Sequence, residues 1–115
     1  MARHLYKATN LVIPANGRNS GAFTVPSALG NLIGMVVFTP ANLLETVTMQ
    51  VAPLANPAEG DWKTLQIIPG VDATFAAGKA VSVRATGFFA VRLHSEPQAA
   101  VDRSFAMVAQ LDTSD

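Results

Sequence analysis

The chain has 115 residues, and its eight Lys and Arg are balanced by eight Asp and Glu, so its formal net charge is zero. Half of the residues are hydrophobic and only 14% are charged, which excludes the basic excess that binding to a phosphate backbone requires. Cysteine is absent, so neither disulfides nor thiolate metal sites are available, and a reducing compartment is the simplest setting for folding.

A chain of this length holds one domain, and that domain can bury roughly two-thirds of its unfolded surface without staples. Residues 1–10 (MARHLYKATN) are polar and mixed, without a clear period. They are expected to form an N-terminal arm, with the sandwich domain over residues 11–115. No apolar signal-peptide stretch follows the early charges.

Residues 11–13 form a short strand stopped by Pro14, and residues 15–21 a loop whose Asn16-Gly17 pair suits a turn with positive φ. Residues 22–25 read as a second strand closed by Pro26, and residues 26–31 as a connection with room for one helical turn. Residues 32–38 (LIGMVVF) are apolar on both faces, which suits a strand covered on both sides or one whose outer face meets a partner. Gly34 within it marks a bulge or a close backbone approach. This longest apolar run falls well short of the ~20 residues that span a bilayer.

Residues 45–51 (ETVTMQV) alternate cleanly, with Val47, Met49 and Val51 on one face. A loop with two prolines spans 52–60. A strand is expected over 62–68, a turn at Pro69-Gly70, a short strand over 71–75 and a turn at Ala77-Gly78. Three alternating segments close the chain: 79–85, 88–95 and 103–111, separated by Thr86-Gly87 and by residues 96–102. Val81, Val83, Phe89, Val91 and Leu93 are expected to point inward, and Arg84 and Arg92 outward. In the last segment Phe105, Met107, Ala109 and Leu111 share one face, yet Ala106 and Val108 on the other are apolar too. Such a strand is a hazard unless covered, which points to packing between subunits. About seven to nine short strands separated by Pro and Gly predict an all-β fold, a single antiparallel sandwich of jelly-roll or immunoglobulin-like type.

Candidate chemistry is sparse. His4 and His94 lack the convergent spacing of a metal site, and no cofactor is implied. His94, Ser95 and Glu96 are neighbours in one strand and point to alternate faces, which does not assemble a triad. The carboxylates Glu59, Asp61, Asp72, Glu96 and Asp102 lie scattered in turns rather than as a facing pair. No enzyme activity is expected. Most aromatics lie in apolar alternation and read as core. Trp62 reads as packing over the core edge beside the 53–61 loop, or, if exposed among other aromatics, as part of a sugar-binding face. Arg84 and Arg92 form either a solvated row or a docking surface, and Arg103 braces the last turn beside Asp102.

Residues 90–95 (AVRLHS), the Ala- and Gln-rich linker at 97–100 and residues 101–105 (VDRSF) resemble the closing segment of small β-sandwich proteins of tailed-bacteriophage virions. Ile13-Pro14 ending the first strand, the alternating Val47–Val51 strand and the aromatic-x-x-Leu pattern of Trp62-Lys63-Thr64-Leu65 are similar as well. The resemblance implies a head decoration (cement) protein on the capsid exterior, assembled in the host cytoplasm. Its partner would be the major capsid protein, its own state a homo-oligomer, with a trimer favoured, and neither nucleic acid nor membrane would be bound. The expected interface is Arg3, His4, Leu5 and Tyr6 in the arm, with Arg84, Arg92 and Val108. No separate anchoring domain or receptor-binding insertion is evident, so head, neck and tail placements stay open. A carbohydrate-binding module and a neck or tail ring component are the alternatives.

Overall fold

A computed structural model describes residues 2–24, 31–84 and 88–114, with side chains placed for 6–24, 34–84 and 88–111. Ten strands are described: β1 (Ala2–Ile13), β2 (Phe23–Thr24), β3 (Asn31–Phe38), β4 (Thr46–Ala52), β5 (Lys63–Thr64), β6 (Gln66–Ile68), β7 (Val71–Asp72), β8 (Ala80–Val83), β9 (Ala90–Glu96) and β10 (Arg103–Ser114). One four-stranded sheet has the order β1-β10-β3-β8, a second the order β2-β9-β4-β5, and β6 and β7 form a separate hairpin. All named pairings are antiparallel.

The chain crosses from one sheet to the other at most connections, and its last strand, β10, lies between β1 and β3. That double wrapping is the jelly roll, with two four-stranded sheets and nested long-range pairs. Of the two sandwich types open to the sequence, the topology selects this one. Among the described residues no helix is long and apolar enough to cross a membrane.

The core sits between the sheets, because alternation sends every second side chain inward. From the first sheet come Leu11, Ile13, Met35, Val37, Val83, Phe105, Met107, Ala109 and Leu111, all buried. From the second come Phe23, Val47, Met49, Val91 and Leu93. Leu43, Phe75, Phe88 and Ala99 close the ends. The expected inward sets of the 45–51 and 103–111 segments are these residues, except that Val51 is only partly buried.

Four expectations about organisation are corrected. Residues 2–10 are not a free arm: β1 runs unbroken to Ile13 and pairs with β10 from Ala2↔Ser114 to Ile13↔Arg103. Backbone pairing needs no apolar period, and Tyr6 to Asn10 contribute no buried side chain, so the strand left no signature in the sequence. The 62–68 strand changes partner at Leu65: its N–H still donates in register to Met49 O (2.8 Å), but its carbonyl accepts from Ala73 N (2.9 Å) beyond the hairpin. β5 therefore ends at Thr64, and β6 turns away from the sandwich into the hairpin, across Pro69 and Gly70, whose φ is 87°. Beyond the hairpin, Ala73 O accepts from Met49 N and Phe75 N donates to Val47 O, so residues 73–75 return to the free edge of β4. Phe89 is 49% exposed, not inward; it precedes the start of β9, and Phe88 is buried instead. The suggested helical turn at 26–31, the end of the second strand at Val25 and the Thr86-Gly87 turn lie largely outside the described residues.

Gly34 fulfils both of its expected roles. The register between β3 and β10 shifts there, from Gln110↔Gly34 to Leu111↔Leu32, so β3 takes one extra residue. A Cβ on Gly34 would stand 3.0 Å from Val83 O.

Candidate interaction surface

The outward faces of the two sheets differ. On the β2-β9-β4-β5 sheet the outward row contains Ala52, Ala90 and Arg92, and all three are buried. The chain's own 53–62 segment reaches over Arg92, while Thr46 and Glu96 at the other end of the same face are exposed. Arg92 donates through Nη1 and Nη2 to both carboxylate oxygens of Glu59 (3.1 and 2.8 Å) and through Nε to Gln50 Oε1 (2.7 Å). Its guanidinium lies 4.5 Å from the centroid of the Trp62 ring. The bidentate fork holds the Glu59 carboxyl below the usual glutamate range, first through its hydrogen bonds and then through its charge. A short 3-10 turn at Glu59–Asp61 presents that carboxylate, and Asp61 closes the turn by accepting from Ala58 N (2.8 Å).

Arg92 is therefore not a docking cation, because its charge and its donors are used inside the molecule. The sequence showed its outward direction but not the loop that returns over it. Trp62 follows its packing interpretation: it is half-buried, and the arginine occupies one face of its ring. The ring face held by Arg92 is not free to stack on a sugar.

Arg103 also does something other than expected. Only 3% of its side chain is exposed, and it donates to both oxygens of Glu45 (2.8 and 3.1 Å) and to Asn42 O (2.8 Å). It ties the start of β10 to the segment before β4, and its hydrogen bonds lower the Glu45 pKa. Asp102 instead accepts from Ala15 N (2.8 Å). His94 is half-buried with Nδ1 2.7 Å from Asn19 Oδ1, and Arg18 pairs with Glu96. Among the described residues no cluster of His, Cys, Asp or Glu could hold a metal ion.

The β1-β10-β3-β8 sheet has no such cover over its described outward residues. The registers align them in rows across the strands: Tyr6–Gln110–Gly34, Ala8–Val108–Val36–Ser82 and Asn10–Ala106–Phe38–Ala80. Val12 and Ser104 extend the face by one pair. Tyr6 is 68% exposed and Phe38 47%, while Val36 and Val108 are half-buried by their neighbours. Arg84, just past β8, is exposed at the Gly34 end and makes no ion pair among the described residues. No carboxylate lies in these rows. Because Gly34 has no side chain, the face dips there into a shallow depression of about 200 Å³, lined by Tyr6, Val36, Ser82, Arg84, Val108 and Gln110.

Tyr6, Arg84 and Val108, expected on separate grounds, thus meet on one face, and Arg92 lies on the opposite one. For Arg3, His4 and Leu5 only the backbone is described, in β1. Ala106 and, through the doubly apolar 32–38 strand, Phe38 were legible in the sequence as partner-facing, though not placed in the expected interface; Ala8, in β1, was missed.

A second exposed apolar feature is the β6-β7 hairpin. Ile67 (59%), Ile68 (60%) and Val71 (42%) are all open to solvent on it. Gln66 steadies it, donating to Asp72 Oδ1 (3.3 Å) and accepting from Gly70 N (3.0 Å).

No protein-family model matches the sequence, and no curated protein is significantly similar to it. Solved structures do match in fold. The SPBc2 prophage-derived protein YomS aligns with a TM-score of 0.59 at 9% identity, over 92% of this chain and 95% of that one. A structure of Bacillus endospore appendages, described as disulfide-linked pili, aligns with a TM-score of 0.53 at 12% identity, over 98% and 89%. A looser likeness, with a TM-score of 0.48 at 16% identity over 98% and 86%, is to the cyanophage Pam1 capsid asymmetric unit. At these identities the likenesses establish the sandwich fold and nothing further.

Proposed function

We propose that this protein is a structural component of a tailed-phage virion, a head decoration protein that binds the major capsid protein lattice from outside and has no catalytic role. The observation that carries the reading is the contrast between the two sheets. On one outward face the chain's own loop engages Arg92 through Glu59 and Trp62, whereas the other presents rows of Ala, Val, Phe and Tyr, with Asn10, Ser82, Ser104 and Gln110 among them, and no loop of the described residues bonded over them. Monomeric proteins rarely leave contiguous apolar faces in water, so this face is buried in assembly. The jelly roll suits that task, because a rigid sandwich has little conformational entropy to lose on docking. Many copies on one shell add their weak contacts through multivalency. The prophage origin of YomS and the resemblance of the closing segment to virion sandwich proteins support the phage setting.

Two measurements test the proposal. Mass spectrometry of purified phage particles carrying this gene is expected to find the polypeptide in the virion. Shells with and without it are then heated, and those with it are expected to release DNA at a higher temperature. Equal release temperatures refute the stabilising role, and absence of the polypeptide from particles refutes the virion reading.

A further inference from the structure

The hairpin and the depression are complementary features of one chain. The hairpin is convex, with Ile67, Ile68 and Val71 exposed around a Pro69-Gly70 turn. The depression is concave, floored by Gly34, Val36 and Val108. Their charges are complementary too. Asp72 is the single charged residue of residues 66–72, and it is exposed, with Gln66 its hydrogen-bond partner among the described residues. Arg84 is the charged residue at the depression, and it makes no ion pair among the described residues. Tyr6 and Ser82 add hydroxyl groups to the rim of the depression.

From these observations we infer that the β6-β7 hairpin of one copy seats in the Gly34 depression of a second copy, with Asp72 facing Arg84. The inference rests on the assembly reading above and names the contact between copies. The hairpin leaves the edge of one sheet beside β5, and the depression lies on the outward face of the other sheet. The two patches are different, so the contact is head-to-tail: each copy gives a hairpin and receives one, and the series closes into a ring or runs on. One hairpin covers less than the about 800 Å² per partner of a stable pair. A closed ring satisfies this limit because every copy is then held twice.

The test uses the full-length protein and analytical ultracentrifugation. Ile68 is exposed, so Ile68→Asp leaves the fold intact; it is expected to weaken self-association by roughly 30-fold, the loss of a central contact. Asp72→Arg and Arg84→Asp are each expected to weaken it about three- to tenfold, and the double exchange to restore it. Ser82→Arg, also at an exposed position, blocks the depression. Mixing Ile68→Asp with Ser82→Arg leaves one sound hairpin and one sound depression, so the mixture is expected to form one-to-one pairs and nothing larger. Circular dichroism confirms that each variant is folded. Two outcomes overturn the contact: Ile68→Asp associating like the unaltered protein, which would indicate face-to-face pairing of the bare sheets, or an unaltered protein that stays monomeric at its highest soluble concentration. Either leaves the virion reading standing. Absence from particles overturns that reading and leaves the hairpin contact standing.

Discussion

Val37 and Phe38 are neighbours in β3 with opposite tasks, and substituting each in turn separates fold from assembly. Val37 is fully buried between the sheets, whereas Phe38 is 47% exposed on the bare face. Val37→Ala removes two buried carbons at about 0.8 kcal/mol each, and the cavity left behind raises the cost to roughly 2–3 kcal/mol. At this chain length 1 kcal/mol lowers Tm by about 3–6 °C, so a fall of about 8–15 °C is expected. Phe38→Ser gives up only the covered half of a ring worth about 1.5–3 kcal/mol when fully buried, so Tm falls by about 2–9 °C. Thermal unfolding is measured in dilute solution, where association does not contribute to Tm. Sedimentation at high concentration should rank the pair the other way: Val37→Ala associates normally while it remains folded, and Phe38→Ser associates more weakly. Equal losses of Tm would show that the outward face is not bare, and unchanged association of Phe38→Ser would refute its burial between copies of the chain.

Other consequences follow from the same geometry. Deleting residues 2–9 should lower Tm and promote aggregation in thermal scans, because it exposes the edge of β10; a free arm would be lost without either effect. The Glu45 and Glu59 pKa values are lowered in the folded state, so the stability they contribute is complete above the ordinary glutamate value of about 4.3. It is lost as pH falls through the lowered values, and an acid titration of Tm should steepen there and flatten when Arg92 and Arg103 are replaced by Met. Trp62→Ala removes a cation–π contact worth about 0.5–2 kcal/mol and should speed proteolysis within residues 53–62 without changing retention on a glycan array.

The fold was largely written in the local pattern. The clean alternation of 45–51 and the one-sided core set of 103–111 each gave a strand and its buried face. The doubly apolar 32–38 segment gave a core strand and, through Val36 and Phe38, half of the candidate surface. What stayed hidden depends on partners distant in the chain. Arg92 was legible as outward-facing, but Glu59 and Trp62 close over it from 33 and 30 residues earlier, so burial could not be read from its strand. Arg103 finds Glu45 across 58 positions for the same reason. Residues 2–10 of β1 were invisible, unlike 11–13, because an edge strand held by backbone pairing needs no hydrophobic period. The hairpin was half visible: Pro69-Gly70 marked the turn, but residues 62–64 and 66–68 read as one strand because nothing local shows that the chain leaves the β4 ladder after Leu65.

The account turns on whether the β1-β10-β3-β8 face is covered when the protein works. Hydroxyl-radical footprinting of the isolated chain and of intact phage particles measures this directly through Tyr6 and Phe38. Both rings should be labelled readily in dilute solution and be protected in particles, with Phe89, which is equally exposed but off this face, as the internal reference. Equal labelling of Tyr6 and Phe38 in both states would contradict the claim.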